Sequence, residues 1–427
     1  MMRLLYNLLF PFALLAILPR YLARMFKRGG FREDFGQRFA RYAPDLRDRF
    51  GRGDWIWVHA VSVGELLIAL KLLEELHRRR PDWQFVVSST TSTAHALALQ
   101  RQQDWWVPIY TPVDFAPVVR KALNVIGPRA IVLTESEMWP NFVWQADDRR
   151  IPIVLVNARV SPRSARRYRR FAPFLRPVAG RLTAVGLQEP EHAALWEHLD
   201  VAPERLHLTG SVKYDPAASN GETRDFGPLL AQFGFRPDDE VLLAGSTHDG
   251  EEEILAAALL ELRKTFPQVR LIIAPRHVER TAEIAARLAP AGLRVARRTA
   301  APEGNAPDIL LLDTTGELQD WYACADVVFI GKSLAGRGGQ NPVEAILAQR
   351  PVLFGPHMEN FAGLRDALLE SGGAREVNDA GSLARSAAAL LSSQEEREAM
   401  VELAAGALRP HQGATARTAD LVAQFVP

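Results

Sequence analysis

ADVVFIGKSLAGRGGQNPVEAILAQ, residues 325–349, reads as a strand, a glycine-rich loop and a helix in immediate succession. The β-branched run Val327 to Ile330 stops at a loop holding Gly331, Gly336, Gly338 and Gly339. A helical pattern opens at Pro342, a residue favoured in the first turn. This order predicts a βα unit whose free N–H groups and helix dipole form an anion cradle. Glu344 falls in the first turn, where a carboxylate can accept hydrogen bonds from ribose hydroxyls. An ordinary glycine-rich βα turn satisfies the same pattern, so the stretch leaves the ligand open.

WIWVHAVSVGELLIALKLLEEL, residues 55–76, repeats the theme. Trp55 to Val58 reads as a strand, and Leu66, Leu67, Leu70, Leu73 and Leu76 recur at helical spacing. Ser62, Gly64 and Glu65 lie between them, at the strand edge where open α/β sheets place ligand crevices. Glu65 is a candidate general base there. A first-turn carboxylate complementing the dipole is the commoner role, and position alone leaves both open.

Strand-like runs alternate with helical patterns along the chain, near 55–60, 84–89, 130–134, 151–157, 182–187 and 206–209, then near 240–245, 269–274, 308–312, 326–330 and 351–354. Such alternation predicts the α/β class, with mainly parallel sheets covered by helices. A chain of 427 residues exceeds one ordinary core, so two doubly wound, Rossmann-like domains are expected. The expected divisions are an N-terminal segment 1–32, a domain 33–214, a polar linker 215–228, a domain 229–411 and a helix 412–427.

Hydrophobic content of 48% and charged content of 24% are those of a folded globular protein. The net charge of +1 conceals a split: residues 1–215 carry 31 Lys+Arg against 21 Asp+Glu, the remainder 20 against 29. A basic N-terminal half points to an anionic surface or substrate, with uneven decoration as the bland alternative. Arg163, Arg166, Arg167, Arg169 and Arg170 concentrate within residues 161–171. Their planar forks suit phosphate, although a solvated basic helix face has the same composition. Cys324 is the sole cysteine, which excludes an intrachain disulfide and a thiolate metal cluster. No HExxH or paired acidic motif is evident, so no metal is expected. Nor is a nucleic-acid partner.

Leu4 to Leu18 is almost wholly apolar, interrupted by Tyr6, Asn7 and Pro11 and flanked by Arg3, Arg20, Arg24, Lys27, Arg28 and Arg32. The run is short against the roughly 20 residues that span a bilayer, and it lacks a small-residue cleavage site. Basic residues after it favour cytoplasmic retention. The expectation is a membrane-anchoring helix, a short span or an interfacial one, on the cytoplasmic face. A core helix of the first domain is the alternative.

Six motifs then appear in order: HAVSVGE (59–65), TESEMWPN (134–141), GSVKYD (210–215), APRH (274–277), DTTGEL (313–318) and GGQNPVEA (338–345). With them the chain resembles, over nearly its whole length, the 3-deoxy-D-manno-oct-2-ulosonic acid (Kdo) transferases of lipopolysaccharide assembly. Several motifs in fixed order are far more specific than one glycine loop. The resemblance implies a GT-B fold, two domains facing a central cleft. It also implies inverting transfer of Kdo from CMP-Kdo to a lipid A precursor (lipid IVA) at an inner membrane rich in anionic lipids, with no cofactor beyond the donor.

Transfer to an alcohol needs a base, a site for the leaving phosphate and tolerance of an oxocarbenium-like centre. The resemblance puts Glu65 in the base position, Glu135 in that of a transition-state carboxylate, and Lys213 and Arg276 as cations. Without it, a surface lysine and a surface ion pair are the ordinary readings of the last two. It assigns donor nucleotide contacts to Pro275 and Arg276, to Thr315, Gly316 and Glu317, and to Asn341, Pro342, Val343 and Glu344. The role of Glu137 stays open. Gln340 stands where His is common and Lys332 where glycine is usual. The rivals are another nucleotide-sugar transferase or epimerase of this fold, and a non-catalytic membrane-associated nucleotide-binding protein.

Overall fold

The computed structural model describes residues 2–12, 15, 34–160, 162–215, 224–301 and 306–427. Most of the expected anchor and residues 216–223 of the expected linker lie outside them. The chain forms two compact units, Met1–Asp215 with His411–Pro427, and Pro216–Pro410.

Among the described residues the first unit holds a seven-stranded, wholly parallel sheet. Its strands are β1 (Trp55–Ala60), β2 (Gln84–Ser89), β3 (Trp106–Tyr110), β4 (Ala130–Thr134), β5 (Ile153–Ala158), β6 (Ala184–Leu187) and β7 (Leu206–Leu208), in the order β3-β2-β1-β4-β5-β6-β7. Every residue of β1, β4 and β5 is buried, as a sheet covered on both faces requires. That is why these strands are continuous apolar runs rather than alternating ones. Strand order reverses between β1 and β4, so HAVSVGE and TESEMWPN emerge side by side at the switch point of the sheet.

The helix Val63–Arg79 covers β1 with Leu66, Leu70, Leu73 and Leu76 in the core, while Leu67 is left 43% exposed. The C-terminal helix Ala414–Phe425 lies on that helix and on β5 and β6, adding Ala419, Leu421 and Val422 to the same core. Its start is held by Asp215, whose carboxylate accepts the N–H groups of Gly413 and Thr415 at 2.7 Å each.

Residues 2–12 are helical and lie on the first unit. Tyr6 meets Trp144 edge-on at 5.7 Å and Phe10 stacks on Phe115 at 6.4 Å. Leu4 (77%), Leu8 (66%) and Phe12 (67%) of this segment are exposed. No helix among the described residues is long and apolar enough to cross a membrane.

The second unit repeats the plan. Its strands β8 (Val241–Thr247), β9 (Arg270–Pro275), β10 (Val295–Arg297), β11 (Ile309–Leu311), β12 (Val327–Ile330), β13 (Val352–Phe354) and β14 (Ala374–Glu376) are parallel, in the order β10-β11-β9-β8-β12-β13-β14. The order reverses between β8 and β12. The strands absent from the sequence reading, β3, β10 and β14, are all edge strands. Two have three residues and the third contains Pro108, which weakens a strand signal.

The anion cradle expected after β12 is filled by the chain itself. Glu251, fully buried in the first turn of the helix Glu251–Leu262, accepts N–H groups from Lys332 (2.7 Å), Ser333 (2.8 Å) and Leu334 (2.9 Å). It also accepts the N–H of His248 at 2.9 Å. Glu359 takes the N–H of Gly338 at 2.7 Å, and Asn341 Oδ1 that of Val343 at 3.2 Å. The helix that follows is only Val343–Leu347, with Pro342 at its N-cap, so its dipole is small. An incoming phosphate therefore meets a loop whose amides at 332–334 are already spent on a carboxylate.

Glu251 is thus a structural acceptor, and each buried N–H left unpaired costs about 1–3 kcal/mol. Glu251→Ala should lower the unfolding free energy by about 3 kcal/mol or more, read as a lower urea midpoint at unchanged slope. An unchanged midpoint would contradict this role for the carboxylate.

Candidate active site

At the carboxyl edge of β1, Ser62 is the N-cap of the helix Val63–Arg79 and accepts the Glu65 N–H at 3.4 Å. The Glu65 side chain reaches back. Its Oε1 accepts the Ser62 hydroxyl at 2.8 Å and its Oε2 the Val61 N–H at 2.8 Å. The Thr134 hydroxyl, at the end of β4, donates to the His59 carbonyl at 2.8 Å and lies 3.4 Å from Glu65 Oε2. The two sequence readings of Glu65, helix-capping carboxylate and candidate base, thus share one geometry. The capping bonds fix the carboxylate in one orientation at the switch point.

TESEMWPN leaves β4 through Glu135, whose φ of 58° is in the left-handed region and whose N–H bonds Val156 O at 2.9 Å. Burial, then the charge of Glu65, raises the Glu135 carboxyl above its ordinary range, while Arg159 and Lys213 oppose the rise. Glu137 is pushed up to about 7 by burial, then by Glu65 and Glu135. Lys213 is lowered to about 8 by burial and by Arg159, with Glu135 opposing. The segment bearing Lys213 is tied to the sheet by Asn157, whose Oδ1 accepts the Val212 N–H at 3.0 Å.

The first unit therefore gathers Glu65, Glu135 and Lys213 into one electrostatic cluster and adds Glu137 and Arg159. Arg159 was missed in the sequence although it follows the apolar run of β5. Such a cluster can accept a proton and compensate developing negative charge within one site. Among the described residues, no group of three or more His, Cys, Asp or Glu side chains is arranged to hold a metal ion.

In the second unit, Pro275 and Arg276 at the end of β9 share a hollow of about 110 Å³ with Thr315, Gly316 and Glu317. Ser246, Thr314 and Trp321 complete its wall. Two of the three expected donor segments thus line one cavity. The Glu317 carboxylate is occupied: Thr314 donates to it at 2.6 Å, Arg224 at 2.8 Å and Arg298 at 3.0 Å. It shapes the wall more readily than it receives a ligand hydroxyl.

The third segment adjoins the first. Burial raises the Glu344 carboxyl, and the Asn341 amide and the charge of Arg276 both oppose this. His248 and His277 lie 6.0 Å apart, and burial, then the charge of Lys332, lowers His248. Arg276 and Lys332 place two cations at the carboxyl edge of this sheet. Lys332 sits at φ 58°, left-handed backbone that costs a side-chain-bearing residue about 1 kcal/mol and glycine nothing. That is the physical reason a glycine is usual there.

Comparison with known proteins agrees with this layout. Residues 33–216 match the family model of the 3-deoxy-D-manno-octulosonic-acid transferases. The chain is 31% identical to the 3-deoxy-D-manno-octulosonic acid transferase of Haemophilus influenzae, over 96% of this chain and 92% of that one. It is 35% identical to that of Bordetella pertussis, over 87% of each. Among solved structures, a UDP-GlcNAc 2-epimerase from Neisseria meningitidis aligns with 87% of this chain and all of its own at a TM-score of 0.56. At 12% identity that likeness is one of fold alone. Sequence identity of this extent, carried along nearly the full length, means that the chain belongs to the 3-deoxy-D-manno-octulosonic acid transferase family.

Proposed function

We propose that this chain is a glycosyltransferase that moves Kdo from CMP-Kdo to a lipid A precursor in lipopolysaccharide assembly. The observation that carries the reading is the cluster at the switch point of the first sheet, where the fixed Glu65 carboxylate acts on Glu135, and Glu135 in turn lies in the field of Lys213 and Arg159. Glu65 takes the proton of the acceptor hydroxyl as its oxygen bonds to the anomeric carbon. The bond from that carbon to the phosphate oxygen breaks with inversion, and CMP leaves. The leaving phosphate needs charge compensation rather than a proton. Arg276, beside the hollow formed with Thr315 and Gly316, supplies it on the donor side, and Lys213 serves the acceptor side.

Because amides 332–334 are occupied by Glu251, side-chain cations rather than that loop's backbone recognise the donor's negative charge. The acceptor is an amphiphile with phosphates, which suits the basic helix Pro162–Arg170 of the first unit. Leu4, Leu8 and Phe12, with Phe171 45% and Phe174 52% exposed, give that unit apolar groups for a lipid surface. We read the N-terminal segment as lying in the interface of an anionic membrane, on its cytoplasmic side.

Glu65→Gln should retain CMP binding and lose roughly 10²–10⁴-fold in kcat. It should also lose about 1 kcal/mol of stability, because the carboxylate caps its helix. Transfer at a near wild-type rate by purified Glu65→Gln would remove the base assignment.

Lys213 gives a pH signature. Its folded value of about 8 lies below the ordinary 10.5, so its charge in the free enzyme is lost as pH rises through about 8. kcat/KM should fall above that pH, and Lys213→Arg should carry the limb upward. The unfolded chain keeps this proton up to 10.5, so between about 8 and 10.5 this group makes the folded state more stable as pH rises. The loss of rate should therefore precede any loss of structure, and a profile unmoved by Lys213→Arg would exclude Lys213 as its source. For the basic helix, Arg166→Ala with Arg167→Ala should raise the acceptor KM and spare CMP binding. An unchanged acceptor KM would leave only a solvated basic face.

A further inference from the structure

The polar residues that interrupt the N-terminal apolar run have specific partners. Tyr6 donates its hydroxyl to Asp114 Oδ2 at 2.8 Å. Asp114, itself buried, accepts the N–H of Asn141 at 3.0 Å through the same oxygen and that of Phe142 at 2.9 Å through Oδ1. Asn141, fully buried, donates its amide to the Asp114 carbonyl at 2.7 Å. Asn7 and Asn141 also exchange side-chain hydrogen bonds, at 3.1 Å in one direction and 3.0 Å in the other. Asn141 closes TESEMWPN, the loop that carries Glu135 and Glu137 six and four residues earlier.

We infer that Tyr6 and Asn7 are positioning residues for the transfer reaction, holding the 134–141 loop from outside the sheet through Asp114 and Asn141. This rests on the proposed catalytic role of the cluster around Glu65 and Glu135.

Physical chemistry separates this role from plain tethering. A tether gains lipid affinity from apolar surface alone, and each polar group in it costs affinity. The outward residues Leu4, Leu8 and Phe12 follow that rule. Tyr6 and Asn7 break it, and both are spent on a single end of a single loop. The middle of that loop is held by a side-chain hydrogen bond between Tyr168 and Ser136 and by Met138 and Trp139 packed on the core. Glu135 N–H is bound to Val156 O, and the bonds of Glu137 N–H to Thr134 O at 3.4 Å and Met138 N–H to Ser136 O at 2.9 Å are internal to the loop. Its far end is the helix start at Pro140, whose first free N–H groups are those Asp114 receives. Asp114 thus acts as an end-cap supplied from another loop, and Tyr6 orients it. Burial pushes the Asp114 carboxyl up to about 7, and the Tyr6 hydroxyl opposes that rise by donating to the ionised form.

The test uses the full-length protein with CMP-Kdo, a detergent-dispersed lipid A precursor and, separately, vesicles containing phosphatidylglycerol. Tyr6→Phe and Asn7→Leu each remove a polar group while making the helix more apolar, so vesicle binding should hold or rise. The double variant should lose roughly 10- to 100-fold in kcat, the scale of a misplaced catalytic group, with the KM for CMP-Kdo unchanged. Tyr6→Phe alone removes one hydroxyl, folds if the double variant does not, and should lose several-fold in kcat at an unchanged melting temperature.

A double variant within twofold of wild-type kcat would overturn the inference, as would a rate loss that tracks lost vesicle binding. Should the double variant fail to fold, a wild-type kcat in Tyr6→Phe would do the same. The fate of the catalytic reading is separate. Activity retained by Glu65→Gln would sink that reading, while the kcat of the Tyr6 and Asn7 variants would still report on the loop. An inactive Glu65→Gln beside a fully active double variant would keep the base and discard the positioning role.

Discussion

Backbone N–H groups in the loops at the sheet edges need acceptors, and the chain supplies them with its own buried carboxylates. A parallel sheet cannot turn its strands back through hairpins; each strand must exit into a loop that leads to a helix. The amides of those loops lie in the interior, where an unpaired donor is costly. Glu65 receives Val61, Asp114 receives Asn141 and Phe142, Asp215 receives Gly413 and Thr415, and Glu251 receives His248 and residues 332–334. Asp114, Asp215 and Glu251 each fasten a segment distant in sequence, and Glu65 fastens the loop that leads into its own helix. The loops at the functional edge are therefore fixed before any ligand arrives, which is the condition for electrostatic preorganisation.

That device decides which groups remain for chemistry. On the proposed reading, Glu251 fills the glycine-rich loop and leaves the donor's phosphate to Arg276 rather than to a nest of amides. Side-chain cations suit a leaving group that carries its charge away, because they hold it without a proton. In the first unit the same logic leaves Glu135, Glu137, Arg159 and Lys213 clustered with their charges set against burial. Opposite charges counter the effect of burial at Glu135 and Lys213, whereas at Glu137 two like charges add to it. A substitution at any one of them shifts the others, so rate losses from single variants in this cluster will not add.

The sequence carried the inner architecture clearly because burial on both faces forces long β-branched runs. β1, β4 and β5 were legible for that reason, as was the helix after β1 with its leucines on one face. Edge strands face weaker demands: β10 and β14 are three residues long, and β3 tolerates Pro108. The sequence made Glu65 a candidate because it sits between a strand and a helix, while Glu135, Lys213 and Arg276 were singled out by the resemblance. Asp114 and Glu251 were not, because their meaning depends on amides 27 and more than 80 residues away. An acidic first turn reads the same whether it complements a dipole or fastens a distant loop. The glycines after β12 were read as a cradle for a ligand. The geometry of a cradle is present, and the occupant is internal.

The N-terminal run shows the same limit in hydropathy itself. Leu4 to Leu18 reads as an anchor because apolar residues dominate, and within a helix a few polar residues look like noise. In the structure those few are the informative ones. Tyr6 and Asn7 face Asp114 and Asn141, and Leu4, Leu5, Leu8 and Leu9 are exposed. A soluble amphipathic helix turns its apolar stripe to the core and its polar stripe to water. Here Tyr6 and Asn7 meet the protein through hydrogen bonds and Phe10 by stacking, while Leu4, Leu5, Leu8, Leu9 and Phe12 meet the surroundings. A helix with that arrangement pays for exposed leucines in water, and the cost disappears only where an apolar phase replaces the water. The same residues that favour such a phase therefore rest on a hydrogen-bonded footing that ends at the loop bearing Glu135.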